Sequence, residues 1–200
     1  MSDSTPRLRC EVFRVLSGAD RDAVWVLQNE MFALEMAESP LHLTYTEEEF
    51  DVAASDPGVL KLLFRPAGAA AGQVDAVVFL ALDLRSSEWV SPQFVDRWLG
   101  VDASRRGAYL ALLAIRDSSL QSLMAVMDGV YAVMVEEGRD RLLLDTDDRR
   151  FRQWQIAAIR RYSRYCSAPD VKALGRYTFG AVYLDGHPLD TPPIDVIYTE

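Results

Sequence analysis

An α/β (α+β) fold is the class this sequence predicts, and three observations carry the expectation. The spacing of apolar residues switches repeatedly between alternation and a three-to-four-residue period, so strands and helices are interleaved along the chain. One segment, YLALLAI at Tyr109 to Ile115, is uninterruptedly apolar, as a central strand buried on both faces would be. Half of the 200 residues are apolar and 26% are charged, the balance of an ordinary globular chain. A chain of this length can bury well over half of the surface it exposes when unfolded, so one domain spanning residues 1–200 is the default expectation.

Leu8 to Leu16 alternates well enough for a first strand, and Ser17 followed by Asp20 reads as a capping sequence opening a helix to about Met36. On that helix Val24, Leu27, Met31 and Leu34 recur at helical spacing, widened by Trp25 and Phe32. Pro40 breaks the pattern. Thr46 with Glu49 three residues later forms a capping box for a short helix to about Ser55, which Asp56-Pro57-Gly58 stops. Val59 to Arg65 and Val74 to Leu84 read as a strand pair joined by the Ala/Gly loop PAGAAAG.

Within the mixed segment Arg85 to Gly107, Ser91 as cap and Pro92 at the first helical position predict a short helix. After the central strand, Ser119 to Glu137 carries apolar residues over more than one face, which predicts a buried helix ended by Gly138. A strand at Arg141 to Asp145 leads to a helix from about Asp148 to Cys166, with Phe151, Trp154, Ala158, Tyr162 and Tyr165 on one face and arginines opposite. The tail resumes strand character at Leu174 to Leu184 and at Ile194 to Thr199. That last strand would leave an edge on which a homodimer can pair.

Composition narrows function by exclusion. With 21 basic and 30 acidic residues the net charge is −9, which repels nucleic acid and anionic membranes. No segment reaches the roughly 18 uninterrupted apolar residues of a membrane span, and none resembles a signal peptide. Cys10 and Cys166 stand far apart without metal-ligand spacing, so no metal is expected and a reducing, cytoplasmic setting is the simpler assumption.

The chemical clue lies where the central strand runs into Arg116-Asp117-Ser118-Ser119-Leu120-Gln121-Ser122. A strand entering a helix through small hydroxyl residues leaves backbone N–H groups at a positive helix end, suited to an anion such as a pyrophosphate. The order of elements resembles that of the GNAT superfamily of N-acyltransferases along the whole chain. Its fold is a mixed, mostly antiparallel central sheet flanked by helices.

In that superfamily a turn of the form R/Q-x-x-G-x-G/A holds the pyrophosphate of an acyl-CoA. Here Arg116 fits the first position, Ser119 and Gln121 stand in place of glycines, and Asp117 adds negative charge. The resemblance therefore implies acetyl-CoA or a longer acyl-CoA at Ile115, Arg116, Ser118, Ser119, Leu120, Gln121 and Ser122. Gln155 to Tyr162 is similar to the superfamily's N-x-x-A-x-x-L-Y, whose tyrosine protonates the departing thiolate. Tyr162 is accordingly the candidate acid, with Tyr165 as fallback and a packed core aromatic as the competing reading.

Glu88 and Asp145, with Asp147 beside it, are candidate bases for an acceptor amine, and each reads first as a solvated or capping carboxylate and second as a base. His42 lies in a loop where the superfamily often lines its acceptor pocket, and His187 reads as a turn residue. The segment before Tyr109 and the EEEFD stretch are also similar to the branch holding N-acyl amino acid synthases and acyl-homoserine-lactone synthases, which implies acyl carrier protein as a second class of donor. Arginines at 149, 150, 152, 160, 161 and 164 read first as a solvated face and second as a contact for CoA or a carrier protein. The acceptor expected is a small-molecule amine.

Overall fold

The computed structural model describes residues 8–38, 45–84, 90–117, 119–146, 170–174, 177–183 and 194–199, with side chains for all of these except 34–38, 145–146, 170–174 and 177–183. Its strands are β1 (Leu8–Phe13), β2 (Val59–Pro66), β3 (Ala76–Ala81), β4 (Gly107–Ile115), β5 (Arg141–Thr146), β6 (Asp170–Leu174), β7 (Tyr177–Tyr183) and β8 (Asp195–Thr199). Its helices are α1 (Gly18–Glu38), α2 (Glu47–Ser55), α3 (Pro92–Leu99), α4 (Ala103–Arg106) and α5 (Leu120–Glu136). The hydrogen-bonded strand order is β6-β7-β5-β4-β3-β2-β1-β8. Parallel and antiparallel neighbours both occur, so the sheet is mixed, as the fold class requires.

The chain divides into two compact units, one of Met1–Phe79, Leu112–Gly129 and Pro193–Glu200, the other of Leu80–Ala111 and Val130–Pro192. In the first, β1 pairs antiparallel with β2 from Leu8↔Pro66 to Phe13↔Lys61 and parallel with β8 from Arg9↔Asp195 to Phe13↔Thr199. Cys10, Val24, Leu27, Phe50 and Phe64 are fully buried there. An aromatic row runs Trp25 to Phe50 to Phe79 to Tyr45, with ring centroids 5.2, 5.6 and 6.1 Å apart. Such tilted or offset contacts let the ring edges meet ring faces. Thr46 and Glu49 form the expected capping box, in which Glu49 Oε2 accepts from Thr46 N at 2.8 Å and Thr46 Oγ1 accepts from Glu49 N at 3.3 Å.

Asp20 departs from the capping role read for it. Its carboxylate faces β2, where it accepts from both terminal nitrogens of Arg65 at 2.9 and 3.0 Å and from Gly72 N at 2.7 Å. Arg65 is 2% exposed, and its Nε stands 2.8 Å from Glu11 Oε2. A buried guanidinium needs its charge met from several sides, and Asp20, in the first turn of α1, supplies one of them.

The second unit holds the parallel register Gly107↔Arg141 to Tyr109↔Leu143 between β4 and β5, and β5 continues antiparallel to β7 through Thr146↔Thr178. Gly107 permits this approach: a Cβ there would stand 3.1 Å from both Ala103 O and Leu143 Cδ1. Ser91 caps α3 with Pro92 in its first turn, as expected, and Gly138 follows α5 at φ +64°. Two elements depart from the sequence reading. A short α4 follows α3, tied to it by Ser104 N donating to Asp96 Oδ1 at 2.7 Å. The expected strand Leu174 to Leu184 is instead a pair, β6 and β7, antiparallel from Asp170↔Ala181 to Leu174↔Tyr177. Alternation of Asp170 and Lys172 with Val171 and Ala173 suits a short edge strand.

Candidate functional site

β4 leaves the sheet at Ile115, and Arg116, the next residue, is held through both its backbone and its side chain. Arg116 N donates to Asp75 O at 2.8 Å, the residue just before β3. The Arg116 guanidinium reaches α1 and donates from Nη1 to Glu30 Oε2 at 2.6 Å, with both side chains half exposed. Chain and side chain are thereby fixed before α5 begins.

At the start of α5 the hydrogen bonds converge on Asp117. Its Oδ1 accepts from Ser119 N at 3.0 Å, and its Oδ2 accepts from the hydroxyls of Ser119 and Ser122, each at 2.8 Å. Ser119 is the N-cap: its Oγ accepts from Ser122 N at 3.2 Å, and its carbonyl accepts from Leu123 N at 3.1 Å. The two hydroxyl oxygens lie 3.1 Å apart. Each hydroxyl has one proton, and both protons are accounted for by the carboxylate. Hydrogen bonds from Ser122 and then from Ser119 hold the Asp117 carboxyl below the usual carboxylate range. The electrostatic consequence is direct. Donors and helix end are arranged for an anion, and the anion they hold belongs to the turn itself.

Of the residues the sequence singled out, the structure brings Ile115, Arg116, Ser119, Leu120, Gln121 and Ser122 together at this one turn, with Leu120 and Gln121 exposed. Ser118, Glu88, Tyr162, Tyr165, His42, His187 and the arginine-bearing helix lie outside the described residues. Asp145 pairs with Phe179 in the β5–β7 ladder, which places its backbone; its side chain lies outside the described ones. Glu30 and Asp75, which anchor Arg116, were absent from the sequence reading because nothing in local spacing links them to residue 116. Asp117 was visible as a charge in the turn. Its bonding was readable from Asp-x-Ser-x-x-Ser, a side-chain acceptor followed by an N-cap and a hydroxyl at the third helical position.

Among the described residues no cluster of three or more His, Cys, Asp or Glu is placed to hold a metal ion, and no helix is long and apolar enough to cross a membrane.

The strand order and the β4–turn–α5 unit define a chain with the fold of the GNAT acyltransferases. It is a divergent example, since solved structures of that fold align over nearly its whole length at low identity. A GNAT-family acetyltransferase from Listeria monocytogenes 4b F2365 aligns with 92% of this chain and 99% of its own, at 12% identity and a TM-score of 0.59. FeeM, an N-acyl amino acid synthase from uncultured soil microbes, aligns over 90% and 92% at 11% identity and a TM-score of 0.56. The AHL synthase LasI aligns over 89% and 90% at 13% identity and a TM-score of 0.59. No protein-family model matches the sequence, and neither does any curated protein.

Proposed function

We propose that this chain is an acyltransferase of the GNAT type, moving an acetyl or longer acyl group from acyl-CoA to the amine of a small-molecule acceptor in the cytoplasm. The observation that carries the reading is the turn between β4 and α5. There Ser119 N–H and the hydroxyls of Ser119 and Ser122 converge on a single anionic group, in a chain with the fold of acyltransferases. A pyrophosphate would take over these donors once the Asp117 carboxylate swings away.

In the proposed reaction the acceptor nitrogen attacks the thioester carbonyl, the C–N bond forms, the C–S bond breaks, and sulfur leaves as a thiolate. Tyr162 supplies the proton to that sulfur, since a phenol with an ordinary pKa of about 10 is protonated at neutral pH. Glu88 or Asp145 accepts the proton lost by the amine. The role of Tyr162 rests on the resemblance of its sequence motif, and those of Glu88 and Asp145 on their places in the chain, before the central strand and at a strand end.

The same turn favours a second reading. Because its donors already hold a carboxylate, the chain would bind no CoA, and it would act as a binding or assembly subunit or take its acyl group from an acyl carrier protein. FeeM and LasI, as N-acyl synthases of the same fold, make the carrier-protein form worth testing. Isothermal titration with acetyl-CoA, a long-chain acyl-CoA and an acyl carrier-protein thioester separates the readings. Binding of either CoA ester supports the first; binding of the carrier thioester alone supports the second donor class; binding of none removes the enzyme. Where binding occurs, Tyr162→Phe should lower turnover with little change in affinity, and unchanged turnover takes Tyr162 out of the mechanism.

A further inference from the structure

Lysine is rare in this chain: of 21 basic residues only Lys61 and Lys172 are lysines, and the other 19 are arginines. One of the two occupies a fully buried position. Lys61 lies in β2 between Leu60 and Leu62, with all three side chains at 0% exposure. Its Nζ donates to Arg14 O at 2.8 Å and to Asp56 O at 2.7 Å. Arg14 follows β1, and Asp56 is the C-cap of α2. The amine therefore ties the exit of β1 and the end of α2 to the middle of β2.

Both acceptors are neutral carbonyls, and among the described residues no ion pair reaches Lys61. The charged side chains of the two acceptor residues make their hydrogen bonds to other groups. The Asp56 carboxylate accepts from Gly58 N at 2.7 Å, and the Arg14 guanidinium reaches out to Pro57 O at 3.5 Å. An ammonium in such a place is short of counter-charge, whereas a neutral amine has two N–H donors for two carbonyls. An arginine could not make that change, because its guanidinium keeps its proton throughout the working range.

We infer that Lys61 is a proton-linked staple: as a neutral amine it holds α2 and the β1 exit to the sheet at least cost, and protonation loosens that attachment. The burial that disfavours its charge also brings its pKa down to about 8, partly opposed by the Asp56 carboxylate. A depressed basic group binds its proton more weakly folded than unfolded. Its effect on stability therefore rises with pH from the folded value of about 8 to the unfolded value near 10.4. Cys10 has the opposite slope, because burial raises its thiol pKa and the unfolded thiol ionises first.

The test has two arms. With ε-¹³C-lysine the protein gives two ε-carbon signals, one of which is lost in Lys61→Met. The Lys61 signal should titrate at least one unit below free lysine, and a midpoint above 10 overturns the inference. In the second arm the unfolding equilibrium is measured by denaturant at pH 7.5 and 9.5. Relative to Lys61→Met, which cancels the cysteine contribution, the wild type should gain at least tenfold in folding constant over that interval. An equal or smaller gain in the wild type overturns the inference. If the methionine variant does not fold, Lys61 is identified as the signal that titrates with amide shifts at Arg14 and Asp56, and the first arm decides alone.

Discussion

Gly129 lies inside α5, where glycine is a poor helix former, and the reason for it is the sheet beneath. A Cβ at this position would stand 2.5 Å from Phe64 Cε1 and 2.9 Å from Phe64 Cζ, with Cys10 Cβ at 3.5 Å. Phe64 and Cys10 are both at 0% exposure, so neither has open space to yield into. Gly129→Ala gains about 1 kcal/mol of helix propensity. Against this stands overpacking of a closed core, about 1–3 kcal/mol and at the upper end when the clash is below 3 Å. The net expectation is a loss of about 1–2 kcal/mol, equivalent to roughly 2–8 °C in Tm for a chain of this size. Thermal and urea unfolding followed by circular dichroism would measure it. Phe64→Leu in the same chain should recover part of the loss, because it removes the two ring atoms that collide. An alanine variant as stable as the wild type or more so would refute the reasoning, since propensity would then outweigh contact and α5 would not be seated against β1 and β2 at this distance.

Two further expectations follow from charged groups. Asp20→Asn leaves the buried Arg65 with Glu11 as its main counter-charge and should cost about 3 kcal/mol, measurable by urea unfolding at neutral pH. The Arg65 hydrogen bonds hold the Asp20 pKa below its ordinary value, so the wild type should also lose this contribution as pH falls below about 4, and the asparagine variant should lack that acid loss. An acid profile shared by both proteins would contradict the assignment. Asp117→Asn removes the negative charge from the α5 turn while keeping an acceptor for Ser119 N. Acyl-CoA affinity should rise several-fold at low ionic strength, with the gain shrinking as salt is added. The depressed Asp117 pKa means that the native turn is held above the ordinary carboxylate range and released as pH falls through the folded value. Protection of the Ser119 and Ser122 amides, taken relative to the intrinsic exchange rate at each pH, should therefore fall in acid in the wild type only, and an equal loss of protection in Asp117→Asn would count against the carboxylate as the holder of the turn.

What could be read from the sequence was what neighbouring residues decide among themselves. Thr46 with Glu49, Ser91 with Pro92 and the position of Gly138 are local devices, and each appears where its spacing put it. The ion network of Arg65, Asp20 and Glu11 was not legible, because its members come from β2, α1 and β1, and a lone charge in a sequence reads as a solvated one. Lys61 was hidden for a related reason. Alternation would place it on the face opposite Leu60 and Leu62, yet every residue from Leu60 to Arg65 is buried, so both faces of β2 are covered. The parallel pairing of β1 with β8 joins the two ends of the chain, a contact that periodicity alone does not encode.

The candidate turn lies between these cases. Its shape follows from local chemistry: a strand end, an aspartate, and serines at the cap and third helical positions. Its occupant depends on a fold-level fact as well, since the Arg116 guanidinium is drawn to Glu30 on α1 and is not turned onto Asp117. With that cation engaged elsewhere, the carboxylate is balanced, among the described residues, by the serine donors and the helix end. Fold similarity at 9–15% identity carries backbone geometry from one chain to another. Charge at the loop is set by side chains, and here one side chain makes the turn its own anion. Whether a pyrophosphate can displace it is therefore a question of how Asp117 competes for three donors, and the charge-neutral Asp117→Asn turn, titrated with acyl-CoA beside the wild type, measures that competition.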